Sequence, residues 1–147
     1  MSYYLDIPLK SEYPRLLEIW ECSVRATHHF VIEEDIFFFK NLITENRMFE
    51  MTNIVTIRDG LNIAGFMGTT EESLDMIFVG PEYIGKGAGK MLMRYAIDEL
   101  NVTRVDVNEQ NVHALKFYLH FGFMAAGRSE LDSNGKPYPI LHMQLRS

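Results

Sequence analysis

Apolar and polar positions along the chain follow two different periods. After a short strand over Tyr3 to Ile7, Leu16, Leu17, Trp20 and Val24 recur at helical spacing from Glu12 onward, which predicts a first helix. Cys22 lies in this apolar-periodic stretch and is expected in the core. The segment from Glu33 to about Met51 is expected to be helical too, although its Phe37-Phe38-Phe39 run is too apolar to define one face and suits core or a dimer surface. The period then shortens. Asn53 to Arg58 and Ile63 to Thr69 read as a hairpin turning at Asp59-Gly60, because this dipeptide accepts the positive φ that such turns demand, and Ser73 to Val79 reads as a third strand.

Pro81 ends that strand, and beyond a glycine-rich turn Ala88, Leu92, Ala96 and Leu100 keep to one side of a helix. Arg104 to Val107 reads as a brief strand, and Ala114, Phe117, Tyr118 and Phe121 mark a second amphipathic helix ended by Gly122. Met124 to Leu131 and Ile140 to Leu145 flank Asp132-Ser133-Asn134-Gly135, which suggests a closing hairpin. The expected fold class is α/β, with a mixed sheet. No repeat, linker or low-complexity tract interrupts the 147 residues, so residues 1–147 are expected to form a single domain.

Charge and composition narrow the function. A formal charge of -6 provides no general basic field, so binding to a nucleic-acid backbone is not expected and any anion site must be built locally. One cysteine excludes an intramolecular disulfide and a multi-cysteine zinc site. No stretch approaches the ~20 apolar residues of a membrane helix, and the first residues do not resemble a secretory leader. The expectation is a cytoplasmic protein without a membrane anchor or metal.

The turn Gly85-Lys86-Gly87-Ala88-Gly89-Lys90 is the clearest local site. Its glycines let backbone approach a ligand closely, its N–H groups face the positive end of a helix, and Lys86 and Lys90 add charge suited to a pyrophosphate. A P-loop would require Gly and Ser or Thr where Ile84 and Met91 stand, and a Rossmann fingerprint would require Gly in place of Lys90. By itself the turn suits a flexible loop as well as a ligand site.

Downstream, Asn111, Ala114, Phe117, Tyr118, Gly122 and Phe123 match N-x-x-A-x-x-F-Y-x-x-x-G-F. Together with Ile77-Phe78-Val79-Gly80-Pro81 and the glycine turn, this resembles the GNAT superfamily of N-acetyltransferases. Val24-Arg25-Ala26-Thr27-His28, Gly127-Arg128-Ser129-Glu130 and Gly135-Lys136-Pro137-Tyr138-Pro139 are similar to the YjaB-type group of small bacterial acetyltransferases. Ile84 replaces the usual Gln or Arg of the turn, which puts one polar cofactor contact in doubt. The resemblance implies the acyl-CoA N-acyltransferase fold, a mostly antiparallel sheet of about seven strands with about four helices. It also implies acetyl-coenzyme A as co-substrate, held by Ile77, Phe78, Val79, Gly85, Lys86, Gly87, Ala88, Gly89, Lys90 and Asn111, with the backbone of Ile77 and Val79 pairing to the pantetheine arm. Asn111 equally suits a helix N-cap, and the two roles can coexist.

Moving acetyl from a thioester to an amine by direct attack in a ternary complex needs a neutral amine, stabilisation of the oxyanion and a proton for the thiolate. Tyr118 is the family-matched proton donor, its alternative being a core aromatic. Asp75 and Asp106 are candidates for the base or simply solvated strand residues, and Asn108 can position the acceptor or a water. Arg25, Thr27 and His28 are candidates for acceptor binding or for a solvated helix end, whereas His113, His120 and His142 carry no motif that raises them above surface residues. The expected partner is an amine-bearing small molecule or protein, and the chain a monomer or homodimer. The rival reading is a non-catalytic module that binds coenzyme A or an acyl form of it and regulates a partner.

Overall fold

The computed structural model describes residues 2–146, which build a seven-stranded sheet in the order β1-β2-β3-β4-β5-β7-β6. The strands are β1 (Tyr3–Asp6), β2 (Asn53–Asp59), β3 (Asn62–Thr70), β4 (Ser73–Val79), β5 (Arg104–Asn108), β6 (Phe123–Ser129) and β7 (Ile140–Leu145). The helices are α1 (Tyr13–Thr27), α2 (Glu33–Glu45), α3 (Met48–Met51), α4 (Ala88–Asp98) and α5 (Val112–His120). Every neighbouring strand pair is antiparallel except β4 and β5, which run parallel. Among the described residues, no helix is long and apolar enough to cross a membrane.

Each face of the sheet buries its own cluster. On one, Val55, Ile57, Met67, Leu74, Val105, Val107 and Met143 pack with Leu92, Met93 and Ala96 of α4 and with Tyr118 of α5. On the other, Ile54, Ile63, Phe66 and Met76 pack with Leu16, Ile19, Trp20 and Val24 of α1 and with Ile36 and Ile43 of α2. The run of buried residues from Ile54 to Arg58 follows from this cover on both faces, where simple alternation would fail. Arg58 is held by Asp6 at 2.8 Å and Glu12 at 2.8 Å, tying the edge strand β1 and the start of α1 to the sheet.

Two expectations need correction. The segment from Glu33 to Met51 is two helices, because Arg47 takes a left-handed conformation (φ 52°) and breaks the run between α2 and α3. Cys22 is exposed, since the buried face of α1 passes through Leu16, Ile19, Trp20, Ser23 and Val24 and leaves position 22 pointing away.

In β4 the register against β3 skips Asp75, where Gly68 opposes Met76 and Thr69 opposes Leu74. This bulge exchanges the faces of the strand. Leu74 before it packs in the α4 cluster, whereas beyond it Ile77 and Val79 pack there and Met76 and Phe78 turn to α1.

Phe66 is fully buried between Phe49 and Phe78, with ring centroids 5.6 and 5.9 Å away. Phe66→Ala is expected to lower stability by about 3–5 kcal/mol, read as a fall in the urea midpoint. A loss below about 1 kcal/mol would contradict this account of the α1-side core.

Candidate active site

The site begins where the two parallel strands separate. β4 and β5 pair only as Ser73 with Arg104 and Leu74 with Val105; beyond the Asp75 bulge they part and leave a wedge-shaped gap. The Gly80 N–H donates to the Ala64 carbonyl at 2.8 Å, which makes Val79 and Gly65 a non-hydrogen-bonded pair of the β3–β4 ladder. The backbone groups of Val79, and of Ile77 two residues earlier, therefore face the gap. Phe78 lies between them and spends its backbone on β3. Its side chain packs on the α1 side, 6.5 Å from the rings of Trp20 and His28.

At the end of β4 the glycine turn leads into α4. Gly85 (φ 78°) and Gly87 (φ 91°) are left-handed, and a Cβ at either would meet nothing within 4 Å, so backbone demand and not protein crowding requires glycine there. The N–H groups of Ala88, Gly89 and Lys90 open the helix without a preceding turn of carbonyls and present the positive end of its dipole. Ala88 is buried, Gly89 lies against the Phe117 ring, and Lys86 and Lys90 are exposed. Ile84 is 39% exposed, an apolar residue at the edge of an anion-suited turn.

Across the gap, Asn108 ends β5 and its carbonyl accepts from the Asn111 N–H at 2.9 Å. Asn111 is the N-cap of α5, its Oδ1 accepting from the Ala114 N–H at 3.2 Å, as its residue type suggests. Tyr118, about two helical turns beyond Asn111 in α5, is 6% exposed and packs edge-on to Phe117 and Phe123. Burial raises the pKa of its phenol above the ordinary value, so it is protonated at neutral pH, and its hydroxyl forms no hydrogen bond among the described residues.

His28 links the two sides. The Thr27 hydroxyl donates to the Ser23 carbonyl at 2.7 Å, so its oxygen accepts from His28 Nδ1–H at 2.8 Å. Nε2 is then the acceptor for the Asn111 amide at 3.3 Å, a contact between residues 83 apart in sequence. Burial, with a smaller contribution from His29, lowers the His28 pKa to about 4 and keeps the ring neutral. Arg25, by contrast, is committed to Glu33 at 2.6 Å and Glu21 at 2.9 Å, so its charge is already balanced. Asp75 is exposed and hydrogen-bonded by the Thr70 hydroxyl.

The structure thus brings Ile77, Val79, the glycine turn, Asn108, Asn111, Thr27 and His28 around one gap. Asp106, Ser129 and His142 join one another on the α1 side of the sheet. His142 Nδ1 lies 2.8 Å from Asp106 Oδ1 and Nε2 lies 2.7 Å from Ser129 Oγ, so His142 is part of an ordered array and not an isolated surface residue. Asp106 and His142 are direct cross-strand partners, a pairing visible only once the β5–β7 register is fixed.

Residues 33–146 match the family model of the acetyltransferase (GNAT) domain. The chain belongs to the GNAT acetyltransferase family. This GNAT chain is an N-acetyltransferase, 38% identical over 132 residues to peptidyl-lysine N-acetyltransferase YjaB of Salmonella typhimurium, with 90% of each chain covered. The solution structure of apo-form YjaB from Escherichia coli superposes with a TM-score of 0.87 at 32% identity, covering 98% of this chain and 97% of that one. The PaiA N-acetyltransferase of Thermoplasma acidophilum, solved in complex with coenzyme A, shares the GNAT fold with a TM-score of 0.81 at 17% identity, over 99% of this chain and all of that one.

The neutral His28 gives a pH signature. The unfolded chain protonates this histidine near ~6.5 and the folded one only near 4. Between these values the unfolded state binds more protons, so stability falls as pH falls, by up to about 1.4 kcal/mol per pH unit, and the contribution is constant below the folded value. Urea unfolding of wild type and His28→Gln between pH 7 and 4.5 should show a steeper loss in the wild type. Parallel curves would contradict the buried neutral ring.

Proposed function

We propose that the chain transfers the acetyl group of acetyl-coenzyme A to a primary amine of lysine type, by direct attack while both substrates are bound. The observation that carries this reading is the parting of β4 and β5 beside the glycine turn. Backbone groups of Ile77 and Val79 left unpaired by the sheet suit the amides of a pantetheine arm, which would lie between the strands as an extra strand. The turn from Gly85 to Lys90 suits the pyrophosphate, with Lys86 and Lys90 supplying charge. Phe78, its backbone engaged with β3, contributes a wall on the α1 side, and Asn111 adds a polar contact where β5 leads into α5.

Acetyl-coenzyme A brings the activated carbonyl. Tyr118, protonated and without a competing partner, hydrogen-bonds the sulfur as negative charge develops there and gives it a proton on departure. Asp75 and Asn108 stand on the two strands that border the gap, where they orient the amine or a water. Thr27 and His28 shape the acceptor side, and Arg25 acts through the carboxylates that it holds. Two facts favour a cationic acceptor such as a lysine side chain: the net charge of -6, and the peptidyl-lysine activity named for the relative at 38% identity.

Thiol release with acetyl-coenzyme A and a blocked lysine peptide tests the reading. Tyr118→Phe should lower kcat about 100-fold or more with little change in acetyl-coenzyme A affinity; unaltered kcat would remove the proton-donor role. Gly87→Val forces a branched residue into a left-handed position and should weaken calorimetric binding of acetyl-coenzyme A about tenfold or more. Unchanged affinity would place the pyrophosphate elsewhere.

A further inference from the structure

Asp106, Ser129 and His142 line a cavity of about 340 Å³ on the α1 side of the sheet, together with Asp132 and the apolar Leu131 and Ile140. Asp106 is the first residue of β5 past the point where β4 leaves it, so the cavity shares with the gap the strand that borders both. His142 is its partner on β7 and Ser129 stands on β6 opposite Ile140, which makes a hydrogen-bonded row across three neighbouring strands. The cross-strand neighbour of His142 is Gly127, so no side chain stands between the imidazole and Ser129.

The row has a direction. A carboxylate only accepts, so His142 presents Nδ1–H to Asp106, and in the neutral imidazole Nε2 is then the lone pair that accepts from the Ser129 hydroxyl. A hydroxyl that donates to an imidazole has its own lone pairs free for a donor arriving from the cavity. The imidazole is partly solvent-exposed, 43% for the side chain, which gives an accepted proton a way out. The charged groups around it are Asp106 from β5, Asp132 from the β6–β7 connector and, two residues back on β5, Arg104 opposite Gln144; β6 presents only Ser129 and Gly127 there.

We propose that this row is the proton acceptor for the amine substrate, an inference that rests on the amine acetylation argued above. The ammonium group enters the cavity and hydrogen-bonds Ser129 Oγ, with its methylene chain against Leu131 and Ile140. One N–H bond of the ammonium breaks as a bond forms to Ser129 Oγ, and the original Ser129 O–H proton passes to His142 Nε2. The amine is left neutral with its lone pair free to attack the thioester carbonyl, and the imidazolium is held against the Asp106 carboxylate until its proton leaves to solvent. Ser129 touches the substrate, His142 takes the proton, and Asp106 is a positioning residue that fixes the tautomer.

The test is the pH dependence of kcat and of kcat/KM for wild type, His142→Gln, Ser129→Ala, Ser129→Thr and Asp106→Asn, with acetyl-coenzyme A and a blocked lysine peptide or spermidine. His142→Gln and Ser129→Ala should lose about 100-fold or more in kcat at pH 7, with the calorimetric affinity for acetyl-coenzyme A unchanged. Their deficit should shrink as pH approaches the ~10.4 of a lysine amine, because the free amine then needs no base. Ser129→Thr, which retains the hydroxyl, should keep activity within about tenfold of wild type. A deficit of the same size at every pH, or wild-type rates in His142→Gln, overturns the relay while leaving the acetyltransferase reading in place. No turnover of either amine by the wild-type chain overturns that reading and the relay with it.

Discussion

Backbone groups that a sheet leaves unpaired must find another partner, and this fold leaves a defined set of them between β4 and β5. Seven strands form one sheet, yet the single parallel pair is joined over only two residue pairs. The Asp75 bulge is the physical cause. It lets Leu74 stay in register with β5 and then rotates the rest of β4, so that Ile77 and Val79 turn their peptide groups away from β3 while their side chains still cover α4. Both hydrophobic clusters press on this strand from opposite sides, so the gap is held open by packing that costs no lining residue its place in the core.

The groups proposed to hold the donor border that gap. The glycine turn closes one end of it with unpaired N–H groups, and the α5 N-cap stands at the other side. Tyr118, proposed as the proton donor, stands in the core on α5, where desolvation keeps the phenol protonated. The α1 side is polar by contrast. Here His28 is neutral and tied to Asn111, and Asp106, His142 and Ser129 form a second hydrogen-bonded row. The proposed donor site is thus built from backbone and helix ends, and the proposed acceptor site from side chains.

Local chemistry was legible in the sequence, and long-range pairing was not. Ser73 to Val79 was readable as a strand because Pro81 and the glycines bound it, and Asn111 was readable as a cap because its side chain serves residues three positions away. The Asp75 bulge carries no residue-type signal, since its only local mark is an aspartate within an apolar strand. The break at Arg47 was hidden for a similar reason, as a left-handed arginine looks like any helix former. His28 with Asn111, and His142 with Asp106, depend on topology that no spacing rule encodes. Cys22 was misplaced because apolar residues flank it on both sides of a helical face that its own position leaves.

The free backbone of β4 is proposed to receive the donor's pantetheine arm. Amide hydrogen exchange of the full chain with and without coenzyme A tests it residue by residue. Ile77 and Val79 should slow on binding, while Phe78, already bonded to β3, should not change. Unchanged exchange at Ile77 and Val79 in the presence of bound coenzyme A would contradict the claim.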